Sequence, residues 1–325
     1  MNILFDGNYL FHKTYSVFST YYKGENMADV MADKDKRQVL LRKCVIDMCF
    51  AIKRFSKDLK RVAFVIDSYS WRSNFYDDYK YALTRVHDDA HQAFIECLDE
   101  FEKLLRKKGI IVSRVQGAEG DDLLYIWSIY FSSCLDEDLV IITGDSDIRQ
   151  IMNSRVAIFN NNSKNLKMYC TPDKEVFWNE YLDADVQVMP TIPFEVLLYK
   201  VIIGDTSDNI PKIKRGFGPV SFNKFIEWLK PYETPTEIDL VPMAQWIAGK
   251  FSEFSKMNEE EVLGKVLFNL KMTWLNLAVY NEMNYLSKSG KELLKCMLDD
   301  VNKQKDKYSY NKPYTLENFY GMPIK

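Results

Sequence analysis

The sequence predicts an α/β fold with a mostly parallel sheet flanked by helices, followed by an all-helical C-terminal region. Three observations carry this. Short apolar runs of strand length alternate with longer segments of helical periodicity over about the first 160 residues. Those short runs are apolar throughout rather than alternating with polar residues, the pattern of strands covered on both faces of a parallel sheet. After residue 172 the strand signals vanish and only helical ones follow.

The elements follow in order. Asn2–Phe5 is a strand closing on Asp6–Gly7, and Val39–Phe55 is a long, apolar-rich helix. Val62–Ile66 is a continuous apolar strand ending in Asp67. His91–Lys108 carries Phe94, Ile95, Leu98, Phe101, Leu104 and Leu105 at helical spacing, with Gly109 as its stop. Ile110–Val115 reads as a strand and Asp121–Cys134 as a helix. Leu139–Thr143 is a strand ending at Gly144–Asp145, and Val156–Phe159 is a further strand. Helices are then expected over Phe194–Ile203, Val220–Leu229, Met243–Phe254, Glu259–Met283 and Lys291–Val301. Pro231–Pro242 reads as a connector and the tail after Lys303 as extended. The division is an α/β domain over 1–172 and a helical domain over 173–325.

The chain has 325 residues, 47% hydrophobic and 27% charged, enough to bury a core without disulfide or metal staples. Its formal net charge is −3. Any contact with nucleic acid must therefore come from a local basic surface. The six cysteines form no CxxC pair and His is scarce, which speaks against zinc ligation and for reduced, buried thiols in a cytoplasmic protein. MNILFDG has no cationic start, so no signal peptide is expected. Charges interrupt every apolar run well short of the ~18 residues a membrane span needs.

The chemistry lies in carboxylates: Asp6; Asp67; Glu119, Asp121 and Asp122 in GAEGDDLL; Asp145 and Asp147 in TGDSD; Asp205 and Asp208 in GDTSDN. Each alone is explained as a helix cap or a turn residue. Taken together they are harder to dismiss, because ligands of parallel sheets bind beyond the carboxyl ends of the strands. Three strands end in Asp6, Asp67 and Asp145. So many carboxylates in one cleft repel and need cations. Oxygen-only ligation selects Mg²⁺ or Mn²⁺. Two such ions about 3.5–4 Å apart clamp both oxygens of an in-line phosphoryl displacement.

ILFDGNYL at 3–10, FVID at 64–67, GAEGDDLL at 117–124, ITGDSDIRQ at 142–150 and IIGDTSDNIP at 202–211 with GFGP at 216–219 occur in an order that resembles the 5′ nucleases. These are the flap endonucleases, the 5′–3′ exonuclease domain of bacterial DNA polymerase I and the stand-alone bacteriophage exonucleases of RNase H type. The resemblance covers roughly residues 1–230. It implies a PIN-like or resolvase-like sheet and two Mg²⁺ or Mn²⁺ ions. The first would be held by Asp6, Glu119, Asp121, Asp122 and Asp145, with Asp67 beside them. The second would be served by Asp147, Asp205 and Asp208, with Asp145 between the two.

The stretch GDTSDNIPKIKRGFGPVSFNKF joins Gly216 and Gly218 to Lys212, Lys214 and Arg215 ahead of a helix. Glycines let backbone approach a phosphate and a helix N-terminus supplies N–H donors. By resemblance, residues 204–230 are a helix–three-turn–helix element that grips duplex DNA, with K⁺ at the 213–218 loop. Residues 69–91 mix aromatic and cationic side chains suited to stacking bases and holding phosphates. By resemblance they form a helical arch: Lys80 on the scissile phosphate, Tyr79 stacking a base, Arg72 steering phosphate and Arg85 assisting.

The expectation is a divalent-metal-dependent 5′ nuclease, acting as 5′–3′ exonuclease and flap endonuclease. It would cut phosphodiesters at single-strand/duplex junctions, removing flaps or RNA primers in replication or repair. Its partners would be 5′-flap, nicked or gapped DNA and RNA/DNA hybrids, with single-stranded DNA-binding protein or a sliding clamp as recruiters. A monomer with no membrane contact is expected. The alternatives are a PIN-like ribonuclease, which lacks the glycine-turn grip at 204–219, and a non-catalytic DNA-binding replication factor on the same fold.

Overall fold

The computed structural model describes all residues except 81–88, 163, 183, 236–238, 283–289 and 306–325. The chain runs β1 (Asn2–Asp6), α1 (Gly7–Tyr21), α2 (Met27–Ala32), α3 (Lys34–Lys53), β2 (Arg61–Val65), α4 (Arg72–Phe75), α5 (Asp89–Lys107), β3 (Ile111–Ser113) and α6 (Gly120–Ile129). It continues with β4 (Leu139–Ile142), β5 (Val156–Asn160), β6 (Lys167–Cys170), α7 (Glu175–Tyr181) and β7 (Gln187–Pro190). Helices complete it: α8 (Pro193–Ile203), α9 (Pro219–Leu229), α10 (Leu240–Ser255), α11 (Glu259–Thr273), α12 (Leu277–Glu282) and α13 (Gly290–Gln304).

The strands form one seven-stranded sheet in the order β3-β2-β1-β4-β5-β6-β7. Neighbours are parallel except β5 and β6. Successive strand residues face opposite sides. Ile3 and Phe5 therefore enter a core beneath α1, α3 and α5, while Leu4 enters a second core. That second core also holds Leu198, Ile202, Phe225, Ile247, Phe251 and Val266, so the helical half shares a core with one sheet face. Both faces are dry, which is why these strands read as unbroken apolar runs.

Several elements differ from the sequence expectation. The sheet continues past residue 172: β7 pairs with β6, but it is a half-exposed edge strand ending in Pro190, too short to signal itself. Helices α1 and α2 fill a stretch for which no element was read. The helix expected over Glu259–Met283 breaks at Trp274–Asn276, where Gln150 donates to Thr273 O (3.0 Å) and accepts from Leu275 N (3.0 Å). A side chain from the α/β half thus satisfies backbone groups that a helix break leaves open. The helix expected to Cys134 ends at Ile129 and closes in a π turn. Within 231–242, residues 240–242 already belong to α10, and 236–238 lie outside the described residues, as does the tail after 305.

The cysteines are free; Cys44, Cys97 and Cys170 are buried, whereas Cys134 and Cys296 are exposed rather than buried as expected. Among the described residues no helix is long and apolar enough to cross a membrane.

Candidate active site

The three strand-end aspartates stand side by side because β2, β1 and β4 are neighbours. The chain changes direction of winding between β1 and β4, the kind of switch point where open sheets bind ligands. Asp6 closes β1 and caps α1: it accepts from Tyr9 N (2.8 Å) and from the Thr143 hydroxyl (2.8 Å). Asp67 follows β2, with its own N–H donated to Asn8 Oδ1 (2.9 Å) and its carboxylate accepting from Gly120 N. A Cβ at position 120 would lie 2.6 Å from Asp67 Oδ1, so a larger residue there would push the Asp67 carboxylate off Gly120 N. Asp145 follows β4 and accepts from Asp147 N (2.8 Å). Together with Asn8, Tyr9, Lys80, Glu119 and Asp121 these side chains line a cleft of about 300 Å³.

A second acidic group comes from the turn after α8. Gly204 has φ +73°, and a Cβ there would meet Ile210 O at 2.4 Å. The turn closes through Asp205 N to Ile210 O (3.0 Å) and Ile210 N to Asp205 O (2.7 Å). Lys200, one turn before the end of α8, bridges Asp147 Oδ1 and Asp205 Oδ2, both at 2.6 Å. Asp208 Oδ2 takes the Tyr79 hydroxyl at 3.4 Å. The structure therefore brings Asp147, Asp205 and Asp208 beside the strand-end group.

The crowding acts on the protonation of these groups. Burial, then the nearby Asp67, pushes the Asp6 carboxyl up to about 7. Asp145 rises to about 6 through desolvation and the charge of Asp147, although it stands in open water at the mouth, which tempers the effect. Asp121 is raised by burial and by Asp145. Glu119 moves the other way: burial alone would raise it, but Arg72 and Lys80 bring it down to about 2. Arg72, Lys80 and Lys200 offset part of the acidic charge of this site. Among the described residues no three His, Cys, Asp or Glu side chains are gathered closely enough to enclose an ion by themselves.

Three side chains are placed differently from expectation. Arg72 does not face DNA: it is 2% exposed, donating to Glu119 Oε2 (2.7 Å), to both Asp122 oxygens (3.1 and 2.9 Å) and to Met272 O (2.9 Å). Asp122 does not face the cleft: it is fully buried, and its oxygens take Arg72, the Trp71 indole, the Tyr280 hydroxyl and Glu119 N. With every lone-pair direction engaged it is a helix cap and counter-ion, not an ion ligand. Tyr79 is buried, its hydroxyl on Glu119 (3.0 Å) and Asp208, with its ring unavailable for a base. Lys80 does reach the cleft, with φ +53° and its ammonium on Glu119 Oε1. Arg85 and the arch segment 81–88 lie outside the described residues.

The basic loop lies apart from the carboxylates. Lys212, Arg215 and Gly216 are exposed, while Lys214 donates to Ser255 O (2.9 Å). Lys214, Arg215, Gly216 and the α9 side chains Ser221 and Lys224 line a cavity of about 330 Å³ at the start of α9, with Gly218 as its N-cap. Sequence reasoning passed over Lys200, Lys224, Asn8, Tyr9 and Thr143. Asn8 and Tyr9 stand within the ILFDGNYL motif. Lys200 becomes visible only once the end of α8 is fixed at Ile203.

The sequence profile of the 5′–3′ exonuclease N-terminal resolvase-like domain matches residues 1–181. This chain belongs to the 5′–3′ exonuclease family. Within that family it is similar to the 5′–3′ exonuclease of Bacillus subtilis, 27% identical over 172 residues, and the match spans about half the length of each protein (51% of this chain, 50% of the relative). The 5′–3′ exonuclease of Mycoplasma pneumoniae is 25% identical over 237 residues, covering 71% of this chain and 72% of that one. Among solved structures, the bacteriophage T5 5′-exonuclease with bound divalent metal ions (zinc) aligns with a TM-score of 0.57 at 17% identity, over 94% of this chain and all of that one. A T5 flap endonuclease complex with DNA and metal ions gives 0.55 at 15% identity, over 94% of this chain and all of that one. At these identities the likeness is one of fold, and it extends over the helical half as well as the family's resolvase-like domain.

Proposed function

We propose that this member of the 5′–3′ exonuclease family is a divalent-metal-dependent 5′ nuclease that hydrolyses phosphodiesters near single-strand/duplex junctions of DNA. The observation that carries this is the meeting of Asp6, Asp67, Glu119, Asp121 and Asp145 in one open cleft, with Asp147, Asp205 and Asp208 beside it. The donor set fits Mg²⁺ or Mn²⁺, being all oxygen. Mg²⁺ keeps much of its water and is held through only one or two carboxylates, so a roomy cleft without a tight acidic cage suits it. Asp6, Asp121 and Asp145 are the candidate holders on the strand side, and Asp147, Asp205 and Asp208 on the α8 side. When bound, such ions supply an activated water and neutralise charge on the leaving oxygen.

The chain's own groups orient and balance. Thr143 and Tyr9 N fix the Asp6 carboxylate, Gly120 N fixes Asp67, and Lys80 offers its ammonium where phosphate charge grows. Lys200 holds Asp147 and Asp205 together. Lys212, Arg215, Lys224 and the N-terminus of α9 bind duplex phosphates, with Lys214 and the Gly216–Gly218 turn beside them. K⁺ at 213–218 belongs to this reading. We divide the protein into a catalytic α/β part and a helical part that supplies Asp205, Asp208 and the duplex grip.

Cleavage of 5′-labelled flap, nicked and single-stranded substrates tests this. Activity is expected with Mg²⁺ and none in excess EDTA, and Asp145→Ala is expected to remove most of it. Full cleavage in EDTA, or near wild-type cleavage by Asp145→Ala, overturns the reading.

A further inference from the structure

A second cavity, of about 560 Å³, opens between the C-terminal end of α3, the end of β5 and the end of α7, and the nuclease cleft does not account for it. It is larger than the acidic cleft and falls within the range of about 300–1,000 Å³ typical of small-ligand sites. Lys13, Lys53, Arg54 and Lys57 surround it against a single acid, Asp47. Arg54 is paired with Asp185 at 3.0 and 3.1 Å, and Asp47 accepts the Thr14 hydroxyl at 2.8 Å. Lys13, Lys53 and Lys57 then face the one carboxylate of Asp47, an excess of two positive charges. Phe50, 66% exposed, and the Tyr181 ring supply aromatic wall on the same cavity.

Two buried polar atoms here lack partners. Asn161 is 8% exposed, yet its Oδ1 meets no donor, and the buried Tyr181 hydroxyl meets no partner either. Buried polar groups are almost always satisfied, so two orphans on residues that line one cavity are groups that a small side-chain rotation would offer to a ligand with hydrogen-bonding groups of its own. Helix α1 contributes a side chain to each of the two cavities. Tyr9, which lines the cleft, donates to Asn160 Oδ1 (3.2 Å), and Lys13, four residues on along the same face of α1, donates to Asn161 O (2.6 Å). Tyr9 and Lys13 are about 6 Å apart along the helix axis.

We propose that this cavity is a second nucleotide-binding site: phosphate on Lys13, Lys53 and Lys57, base against Phe50 and Tyr181, and base or sugar hydrogen bonds to Asn161 Oδ1 and the Tyr181 hydroxyl. Cations with aromatic faces are the combination that holds single nucleic-acid units. The choice of a nucleotide rests on the nuclease reading, which supplies it as a released monophosphate or as one unit of a strand leaving the cleft.

The test titrates the full chain in EDTA with deoxyadenosine monophosphate and, separately, with a labelled single-stranded oligonucleotide. Wild type is compared with Phe50→Ala/Lys53→Ala/Lys57→Ala, whose changes are on exposed side chains. The variant is expected to melt with wild type, to bind at least tenfold more weakly, and to cleave a short nicked duplex at the wild-type rate. Saturation by the monophosphate identifies released product as the source; binding by the oligonucleotide alone identifies the attached strand. Equal binding by variant and wild type, no binding of either probe, or binding of a polyglutamate peptide in their place overturns the proposal. Because binding is read without metal, absence of Mg²⁺-dependent cleavage in wild type would instead sink the nuclease reading.

Discussion

Arg72→Met separates a buried counter-ion from a DNA contact. The guanidinium is 2% exposed and makes charged hydrogen bonds to Glu119 and Asp122, which are themselves 6% and 0% exposed. Burial works against its charge, but Asp122 and then Glu119 overcome this and raise its pKa well above the ordinary arginine value. Removing one partner of a buried pair strands the other, at a cost of about 3–5 kcal/mol. For a chain of this size the urea dependence lies near the upper end of about 1–3 kcal/mol/M, so the unfolding midpoint should fall by about 1–1.7 M. Adding Asp122→Asn should cost much less in the Arg72→Met background than in wild type, because the stranded carboxylate is then gone. A midpoint within about 0.3 M of wild type, together with weakened DNA affinity, would refute the buried assignment and restore Arg72 to the DNA interface.

Neutralising Lys212 and Arg215 should lower the magnitude of the log–log salt slope for duplex binding by about 1.8, at about 0.9 per phosphate contact, with little change in single-turnover rate; anisotropy from low to moderate salt measures it. Lys80→Ala should slow single-turnover cleavage by about 10²-fold or more while affinity changes less, and a rate within about threefold of wild type removes Lys80 from the chemistry. Gly204→Ala should destabilise the Asp205–Asp208 turn, since a Cβ would sit 2.4 Å from Ile210 O at φ +73°, and thermal melting checks this. Glu137 gives a pH signature. Burial opposes its charge, but Lys60, Asn2 and Arg61 hold its carboxyl down at about 2, below its ordinary 4.5. A depressed folded pKa stabilises above the unfolded value and is lost as pH falls, so the Tm difference between wild type and Glu137→Gln should shrink from pH 4.5 toward 2.

The sheet and the strand-end acids were legible because dry parallel strands write themselves as apolar runs and the switch-point rule says where their ends meet. Asp6, Asp67 and Asp145 follow from that alone. The failures are tertiary. Nothing local distinguishes Asp121 from Asp122, yet one residue of rotation around α6 sends the first to the cleft and the second into the core. Arg72 sits in an aromatic, basic segment that reads as a nucleic-acid surface; only the contacts with α6 and the end of α11 bury it. β7 was missed because an edge strand of four residues carries no periodicity. Lys200 was missed because its partners lie at opposite ends of the fold's logic, one after β4 and one after α8.

The Arg72 junction also sets the order in which the protein comes into being. Its bond to Met272 O spans 200 residues, and Tyr280 reaches Asp122 across 158. Contacts of such separation are formed late, since the chain between them must be ordered first. A nascent chain that has already made all nine acidic residues of the two groups still lacks the backbone and hydroxyl that seat Glu119 and Asp122. Emergence of α11 and α12 from the ribosome is therefore the step that fixes the floor of the cleft, well after the last of its carboxylates has been made.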